Sequence, residues 1–268
     1  MKIGLIGCGR MGGALIEGAI QMGVVEASNV LLHSKSAESA ASLADKCGAI
    51  VAKDNSEVVR ASGLVLLSCK PYQVLDILKE VSDELPGNTA IVSVAAGITL
   101  ATMEGACPEG TRFIRTMPNT PSLIGLGATG IAKGAHATEE DLSAAKELLA
   151  SVGMVIETNE KQLDAVTGLS GSGPAYVYTF IEELAAQAVK EGLSSDDALA
   201  LATQTVIGAA RMVEQSPMSP AELRNQVTSP GGTTLAGLKA LSDNNFESCI
   251  AAGVHAATER SREIAAES

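Results

Sequence analysis

The residues Gly7-Cys8-Gly9-Arg10-Met11-Gly12 have the spacing G-x-G-x-x-G, which lets a diphosphate approach the protein backbone. The first glycine permits a tight turn, the second leaves room for phosphates, and the third lets a helix lie close to a strand. A short apolar run at 2–6 precedes the motif, and an amphipathic run at 14–20 follows it. A helix that starts at such a turn directs free N–H groups and a positive dipole end at the phosphates. This order predicts a dinucleotide site, with an ordinary glycine turn as the alternative.

The residues that follow the second apolar run, at 30–32, indicate which dinucleotide binds. NAD-binding folds usually place Asp or Glu here, where the carboxylate accepts hydrogen bonds from the adenosine ribose. This chain has His33-Ser34-Lys35-Ser36 instead. A carboxylate about 4 Å from a phosphate would repel it by about 4 kcal/mol at an effective dielectric near 20, whereas a lysine attracts it. We therefore expect NADPH to bind through its 2′-phosphate at Ser34, Lys35 and Ser36, with some use of NADH. The alternative is that Lys35 is a solvated residue that opens the next helix.

Two glycine-rich loops in the second half, at 168–175 and 228–234, each lead into a predicted helix. The second offers free N–H groups and hydroxyls, which favour an anion such as a substrate carboxylate; ordinary helix caps are the alternative. Neither loop contains His, Lys, Asp or Glu, although alcohol dehydrogenation needs a base. Reduction of an imine needs less, because a protonated C=N already attracts hydride. The hydroxyl of Thr234 is the candidate for a hydrogen bond to the ring nitrogen and a proton relay.

Short apolar strands alternate with helices in residues 1–159, and this alternation is typical of a doubly wound α/β fold. We expect a Rossmann-type, mostly parallel sheet here, followed by an all-α dimerisation domain at 160–268. Ligands of such sheets lie beyond the carboxyl ends of the strands. The sequence places loops there at 68–71, 94–97 and 116–121. The predicted helices at 174–192 and 195–215 are apolar around most of their circumference, so we infer a second copy of the chain, with a compact monomer as the alternative.

Composition limits the classes of partner. The net charge of −12 argues against nucleic acid. Five separated cysteines without a C-x-x-C pair indicate reduced thiols in the cytoplasm, and no signal peptide is expected because the first strand starts at once. Three isolated histidines give no metal-ligand spacing, so we expect no metal site. Gly, Ser and Pro interrupt the uncharged stretches, so we expect no membrane span.

The chain resembles the pyrroline-5-carboxylate reductase family. The motifs that match are 165–176, 228–234, Ala95-Ala96-Gly97 and Met117-Pro118-Asn119-Thr120-Pro121, so the similarity extends over the whole chain. The resemblance implies reduction of Δ1-pyrroline-5-carboxylate to L-proline with NAD(P)H, the last step of proline biosynthesis. It also implies a homodimer, which some members of the family assemble into decamers, and a cytoplasmic location in bacteria.

The resemblance assigns a role to each matching residue. The expected pyrophosphate contacts are Ile6, Gly7, Cys8, Gly9, Arg10 and Met11. Ser34 is expected at the 2′-phosphate, Asn55 at the adenosine side, and Cys69, Lys70, Ala95 and Ala96 along the nicotinamide half. The expected substrate residues are Ser229, Gly231, Gly232, Thr233 and the catalytic Thr234, with Thr167 behind them and Glu160 as a further candidate. Lys70 has a second interpretation, as a strand-end lysine at the rim of the sheet. Family members vary between Arg and Lys near position 35, which leaves strict cofactor preference open.

Two rival functions remain. A β-hydroxyacid dehydrogenase has a similar N-terminal glycine motif, but it needs a catalytic lysine in G-x-x-G-x-x-x-K, and this chain has Ala175 at that position. A non-catalytic NADP-binding sensor is the second rival. A carboxylate site facing the nicotinamide would have no purpose in such a sensor.

Overall fold

The computed structural model describes residues 1–267, which form two compact units. Of these residues, the first unit contains Met1–Ser172 together with 256–267, and the second contains Gly173–His255. The sequence instead suggests a boundary after residue 159. As a boundary between functional domains, that position stays a prediction.

Within residues 1–267, eight strands form one sheet in the first unit: β1 (Ile3–Ile6), β2 (Val30–His33), β3 (Ile50–Val51), β4 (Leu64–Leu67), β5 (Ala90–Ser93), β6 (Arg112–Met117), β7 (Gly127–Lys133) and β8 (Gly153–Glu157). Their order is β3-β2-β1-β4-β5-β6-β7-β8. Neighbouring strands are parallel apart from β6 and β7, which are antiparallel. The first six strands have the doubly wound order of dinucleotide-binding folds, which confirms the predicted fold class.

Helices cover both faces of this sheet. They are α1 (Arg10–Gln21), α2 (Ala37–Cys47), α3 (Asn55–Ala61), α4 (Pro71–Val81), α5 (Leu100–Glu104), α6 (Glu139–Ala150) and α7 (Leu163–Val166). Successive side chains of a strand point to opposite faces, so β4 contributes to two cores. Leu64 and Leu66 pack with residues of α1 and α6, whereas Val65 and Leu67 pack with residues of α3, α4 and α5.

For the segment that leaves the sheet, the sequence predicts a single helix at about 161–167, and the structure is less regular. A 3-10 turn at Glu160–Gln162 precedes α7, and a π-helical turn at Thr167–Gly171 follows it. A Cβ at Gly171 would lie 2.6 Å from the methyl carbon of Met117. The glycine therefore lets this turn approach the end of β6.

The second unit is helical, as the sequence predicts. Its helices are α8 (Gly173–Lys190), α9 (Ser195–Gln215), α10 (Pro220–Gln226), α11 (Thr233–Asp243) and the start of α12 (Phe246–Glu267). Ser219 caps α10 in a capping box, in which its hydroxyl accepts from the N–H of Glu222 and its own N–H donates to the Glu222 carboxylate. Large apolar side chains on these helices are exposed in the single chain, among them Tyr178, Leu199, Leu201, Ile207, Met212 and Ile250.

The described part of the chain contains no group of three or more His, Cys, Asp or Glu side chains that could hold a metal ion. Among the helices of residues 1–267, none combines the length and the apolar composition that crossing a membrane requires. The cysteines of these residues are free thiols.

Candidate functional site

The glycine turn between β1 and α1 has the conformation that the motif predicts. Gly7 has φ of 99°, and a Cβ there would lie 2.7 Å from the carbonyl oxygen of Ser68 at the end of β4. A Cβ at Gly12 would lie 2.7 Å from the carbonyl oxygen of Gly7. At Gly9, the N-cap of α1, a Cβ would meet no atom within 4 Å. The first and third glycines are therefore required by packing, whereas the second leaves open space at the start of a helix. This geometry fits a diphosphate.

A cavity of about 830 Å³ lies against this turn at the carboxyl ends of the parallel strands. It brings together residues from the ends of β1, β2, β4 and β5, which the fold places at one edge of the sheet. The predicted cofactor residues in its wall are Ile6, Gly7, Cys8, Gly9, Arg10, Met11, Ser34, Lys35, Asn55, Cys69, Lys70, Ala95 and Ala96.

Ser36 is the predicted cofactor residue that this wall does not include. It is the N-cap of α2, and its hydroxyl oxygen accepts a hydrogen bond of 3.2 Å from the backbone N–H of Ser39. Ser39 itself lies in the cavity wall. The hydroxyl cluster at this end is therefore made by Ser34 and Ser39, and Ser36 supports it as a cap.

A chain of hydrogen bonds crosses the wall beside Lys35. Both amide hydrogen-bonding groups of Asn55 are used: its Nδ2 donates to the carboxylate of Glu80 at 3.1 and 3.3 Å, and its Oδ1 lies 2.7 Å from Nδ1 of His33. A carboxylate only accepts, so the amide nitrogen of Asn55 must face Glu80 and its oxygen must face His33. The His33 ring therefore carries a hydrogen on Nδ1. Asn55 is buried, with 8% of its surface exposed, and all three side chains belong to the cavity wall.

The opposite end of the cavity is formed by the ends of β4, β5 and β6. Burial raises the pKa of the Cys69 thiol to about 11, so this thiol stays protonated at neutral pH. Burial, with a smaller contribution from Cys47, raises the pKa of Cys8 to about 11 as well. Lys70 is exposed and is the N-cap of α4, where its N–H donates to Gln73 at 3.2 Å. Because the thiols of Cys8 and Cys69 are both protonated at neutral pH, neither is available as a base or a nucleophile.

The carboxylate of Glu160 accepts hydrogen bonds from other residues of the chain. Its Oε1 accepts from the guanidinium of Arg115 at 2.9 Å and from the backbone N–H of Leu100 at 2.6 Å. Arg115 is buried, with 6% of its surface exposed. The substrate-side role expected for Glu160 thus competes with a structural one, in which it joins β6 to the start of α5.

Thr167 lies with Ala96 in the wall of a second cavity of about 200 Å³. Its hydroxyl donates to the carbonyl oxygen of Leu163 at 2.8 Å. The other walls of this cavity come from Gly97, Ser172 and the end of α12. Thr167 is therefore placed beside the loop after β5, which also lines the larger cavity.

The predicted substrate loop lies in the second unit. The N–H of Gly232 donates to the carbonyl oxygen of Ser229 at 3.0 Å, and Gly231 has φ of 74°, so the chain turns tightly before α11. Gly232 is the N-cap of α11, and Thr233 and Thr234 are its exposed first residues. This geometry leaves helix-start N–H groups and hydroxyls at the surface, as an anion site requires.

Residues of α4 are the part of the wall that the sequence analysis missed. Gln73, Ile77 and Glu80 face the cavity from this helix. Their spacing of four and three residues is that of one helix face. That spacing, read from the loop at 68–71 onward, would have identified them.

Comparison with known proteins shows which family this chain resembles. A family model described as pyrroline-5-carboxylate reductase dimerisation matches residues 160–264, and one described as NADP oxidoreductase, coenzyme F420-dependent, matches residues 2–97. The chain is 42% identical over 263 residues to the pyrroline-5-carboxylate reductase of Methanosarcina acetivorans, covering 98% of this chain and 97% of that one. It is 44% identical over 264 residues to the enzyme of Pisum sativum, covering 98% and 95%.

Solved structures of pyrroline-5-carboxylate reductases are also similar to this chain. The pyrroline-5-carboxylate reductase of Coxiella burnetii matches with a TM-score of 0.94 and 33% identity over 98% of both chains. The Plasmodium falciparum enzyme, solved with NADP bound, matches with a TM-score of 0.88 and 29% identity over 99% of this chain and 98% of the other. The chain therefore belongs to the pyrroline-5-carboxylate reductase family.

Proposed function

We propose that this chain reduces Δ1-pyrroline-5-carboxylate to L-proline with NADPH, the last step of proline biosynthesis. The observation that carries the proposal is the cavity of about 830 Å³, which joins the glycine turn, the Lys35 cluster and the Ala95-Ala96 loop in a chain of this family. Gly9 and the start of α1 would hold the pyrophosphate, and Ser34 with Lys35 would hold the 2′-phosphate. Some use of NADH is expected, because this end of the cavity contains nothing that repels a ribose hydroxyl.

The chemistry requires little from the protein at the reacting carbon. NADPH supplies a hydride, which adds to the carbon of the protonated C=N. The π-electron pair of the C=N bond then moves to nitrogen, so the ring nitrogen becomes that of an amine and no base has to remove a proton. Cys69, Ala95 and Ala96 would form the mostly apolar wall beside the nicotinamide ring. Because burial raises the pKa of the Cys69 thiol to about 11, this wall carries no thiolate at neutral pH, in agreement with a reaction that needs no base.

The substrate is proposed to bind at the start of α11. Ser229, Gly231, Gly232 and Thr233 would hold its carboxylate, and the hydroxyl of Thr234 would hydrogen-bond the ring nitrogen. The tight turn at Gly231 and the exposed start of the helix support this assignment. Thr167 is proposed to lie near the substrate, since it shares a cavity wall with Ala96. Glu160 has the weakest support, because Arg115 and Leu100 already occupy one of its oxygens.

The second half is proposed to form a homodimer. Its support is the set of exposed apolar side chains on α8, α9 and α12, together with the family model for dimerisation at 160–264. Burying such side chains against a second copy would stabilise the pair by about 25 cal/mol per Å² of apolar surface. Assembly of dimers into a decamer and a cytoplasmic location are further parts of the proposal. The free thiols are consistent with a reducing compartment.

The test compares two substrates with the purified chain. NADPH oxidation is followed at 340 nm with pyrroline-5-carboxylate, and NAD reduction is followed with 3-hydroxyisobutyrate. We expect turnover only with the imine, with L-proline as the product in amino-acid analysis. Turnover only with the hydroxyacid would replace this proposal by a β-hydroxyacid dehydrogenase. Nucleotide binding without turnover of either substrate would favour the sensor.

A further inference from the structure

The Glu80, Asn55 and His33 side chains form a relay that ends at the last residue of β2. Glu80 lies on α4, Asn55 is the first residue of α3, and His33 ends β2, so three separate elements supply the relay. Its hydrogen bonds are 3.1 and 3.3 Å between Asn55 and Glu80, and 2.7 Å between His33 and Asn55. Since the Asn55 amide is buried, it can satisfy both partners only in this orientation.

The relay leaves one ring nitrogen of His33 for a ligand. Nδ1 is engaged by the oxygen of Asn55, so Nε2 is the ring nitrogen that remains. His33 lies in the cavity wall immediately before Ser34 and Lys35, the two residues proposed to hold the 2′-phosphate. A phosphate oxygen and an imidazole nitrogen can share one proton, whichever of the two groups carries it before binding. NAD has a ribose hydroxyl instead of this phosphate, so it would gain far less from the contact.

We propose that Glu80 and Asn55 are positioning residues which hold His33 so that its Nε2 hydrogen-bonds the 2′-phosphate of NADP, making His33 a determinant of NADP preference. This inference rests on the proposed use of NADPH. A positioning role for Glu80 differs from a purely electrostatic role, because a carboxylate near a phosphate would by charge alone weaken NADP binding. The two roles predict opposite changes in NADP affinity when the Glu80 carboxylate is removed.

The experiment measures the dissociation constants of NADP⁺ and NAD⁺ by isothermal titration calorimetry, without substrate. The variant His33→Asn keeps an amide that can still meet Asn55 but lacks the Nε2 position. We expect it to weaken NADP⁺ binding by about ten-fold, the size of one charge-assisted hydrogen bond, and to change NAD⁺ binding by less than about two-fold. Equal weakening of both nucleotides, or of neither, would overturn the proposal.

Variants of Glu80 test the relay itself. Glu80→Ala removes the partner of the Asn55 amide and should weaken NADP⁺ binding as His33→Asn does, whereas Glu80→Gln keeps an acceptor oxygen and should restore binding. Asp76→Asn, an exposed acid on the same helix, controls for the change in net charge. Tighter NADP⁺ binding in both Glu80 variants would show that only the charge matters and would overturn the relay. Wild-type protein that binds neither nucleotide would contradict the proposed function itself.

Discussion

The guanidinium of Arg115 donates a hydrogen bond of 2.9 Å to Oε1 of Glu160, a residue 45 positions later in the chain. The two side chains differ in environment, with 7% of the Arg115 side chain and 30% of the Glu160 side chain exposed. The pair connects β6, which ends beside the cavity, to the turn before α7. Because the same oxygen accepts from the N–H of Leu100, it also fixes the start of α5.

Removing Glu160 should therefore destabilise the fold more than removing Arg115. Glu160→Ala leaves a buried guanidinium without its partner, and we expect a loss of about 1.5–3 kcal/mol in the free energy of unfolding. In Arg115→Met, the remaining carboxylate still accepts from Leu100 and reaches water, so the loss should be smaller. Urea unfolding at one fixed protein concentration measures both.

The exposed ion pair between Lys146 and Glu157 provides the matched control. Its side chains are 39% and 54% exposed, so Glu157→Ala should cost less than about 1 kcal/mol. If Glu157→Ala and Glu160→Ala had equal effects on unfolding, burial of Arg115 would have no energetic consequence.

A second prediction separates packing from binding at the glycine turn. Gly9→Ala places a methyl group where no atom lies within 4 Å, at an extended backbone position with φ of −80°. We expect a change in stability of no more than about 1 kcal/mol, the range for an N-cap change, but weaker NADP⁺ binding because the methyl group meets the diphosphate. Gly7→Ala should instead lower the melting temperature, since its φ is 99° and Ser68 leaves no room. Normal NADP⁺ affinity in Gly9→Ala would place the pyrophosphate elsewhere.

The sequence predicts the sheet well because its strands are short apolar runs between turn signals. The runs at 64–67 and 90–93 coincide with β4 and β5. By contrast, the run at 111–115 predicts a strand that ends at 115, whereas β6 reaches Met117, because its antiparallel pairing with β7 continues to Met117 and Gly130. Such pairing depends on residues of the next strand, which lie outside the run itself.

Local sequence patterns likewise predict only part of the candidate site. The glycine motif and the run after β2 predict one end of the cavity, because each is a contiguous signal. The partner of Glu160 and the orientation of the Asn55 amide depend on Arg115 and Glu80, which no local pattern connects to them. The position of Ser36 beside Lys35 predicts that it binds the 2′-phosphate, although its hydroxyl oxygen already accepts a hydrogen bond as the cap of α2.

Charge reversal at Lys35 tests the predicted 2′-phosphate site. Lys35→Glu replaces attraction by repulsion, and we expect the KM for NADPH to rise by about ten-fold or more, equivalent to about 1.4 kcal/mol, while the KM for NADH changes little. Lys53→Glu, an exposed lysine outside the cavity wall, is the control for net charge. A parallel rise for NADPH and NADH would remove the assignment.

The thiols in the cavity wall predict a dependence on pH. Burial raises the pKa of Cys8 and of Cys69 to about 11, so the reactive thiolate is scarce at neutral pH and increases as pH rises toward 11. Alkylation of both residues by iodoacetamide should be slow at pH 7 and should accelerate about ten-fold per unit between pH 8 and 10. Peptide mass spectrometry follows each site. Bound NADP⁺ should protect both cysteines, and it should not change the labelling of Cys249 on α12, which lies outside the cavity wall. Rapid labelling of Cys69 at pH 7 would contradict its buried environment.

The hydroxyl of Thr234 is the proposed partner of the substrate nitrogen. Thr234→Ala should lower kcat/KM by an amount that corresponds to about 1–3 kcal/mol, the cost of one lost hydrogen bond, while NADP⁺ binding stays unchanged. Thr234→Ser keeps the hydroxyl and should restore most of the activity. Thr205→Ala is the control, because that hydroxyl donates within α9 to the carbonyl oxygen of Leu201 at 2.7 Å. Wild-type kinetics in Thr234→Ala would show that the protonated C=N needs no hydroxyl partner.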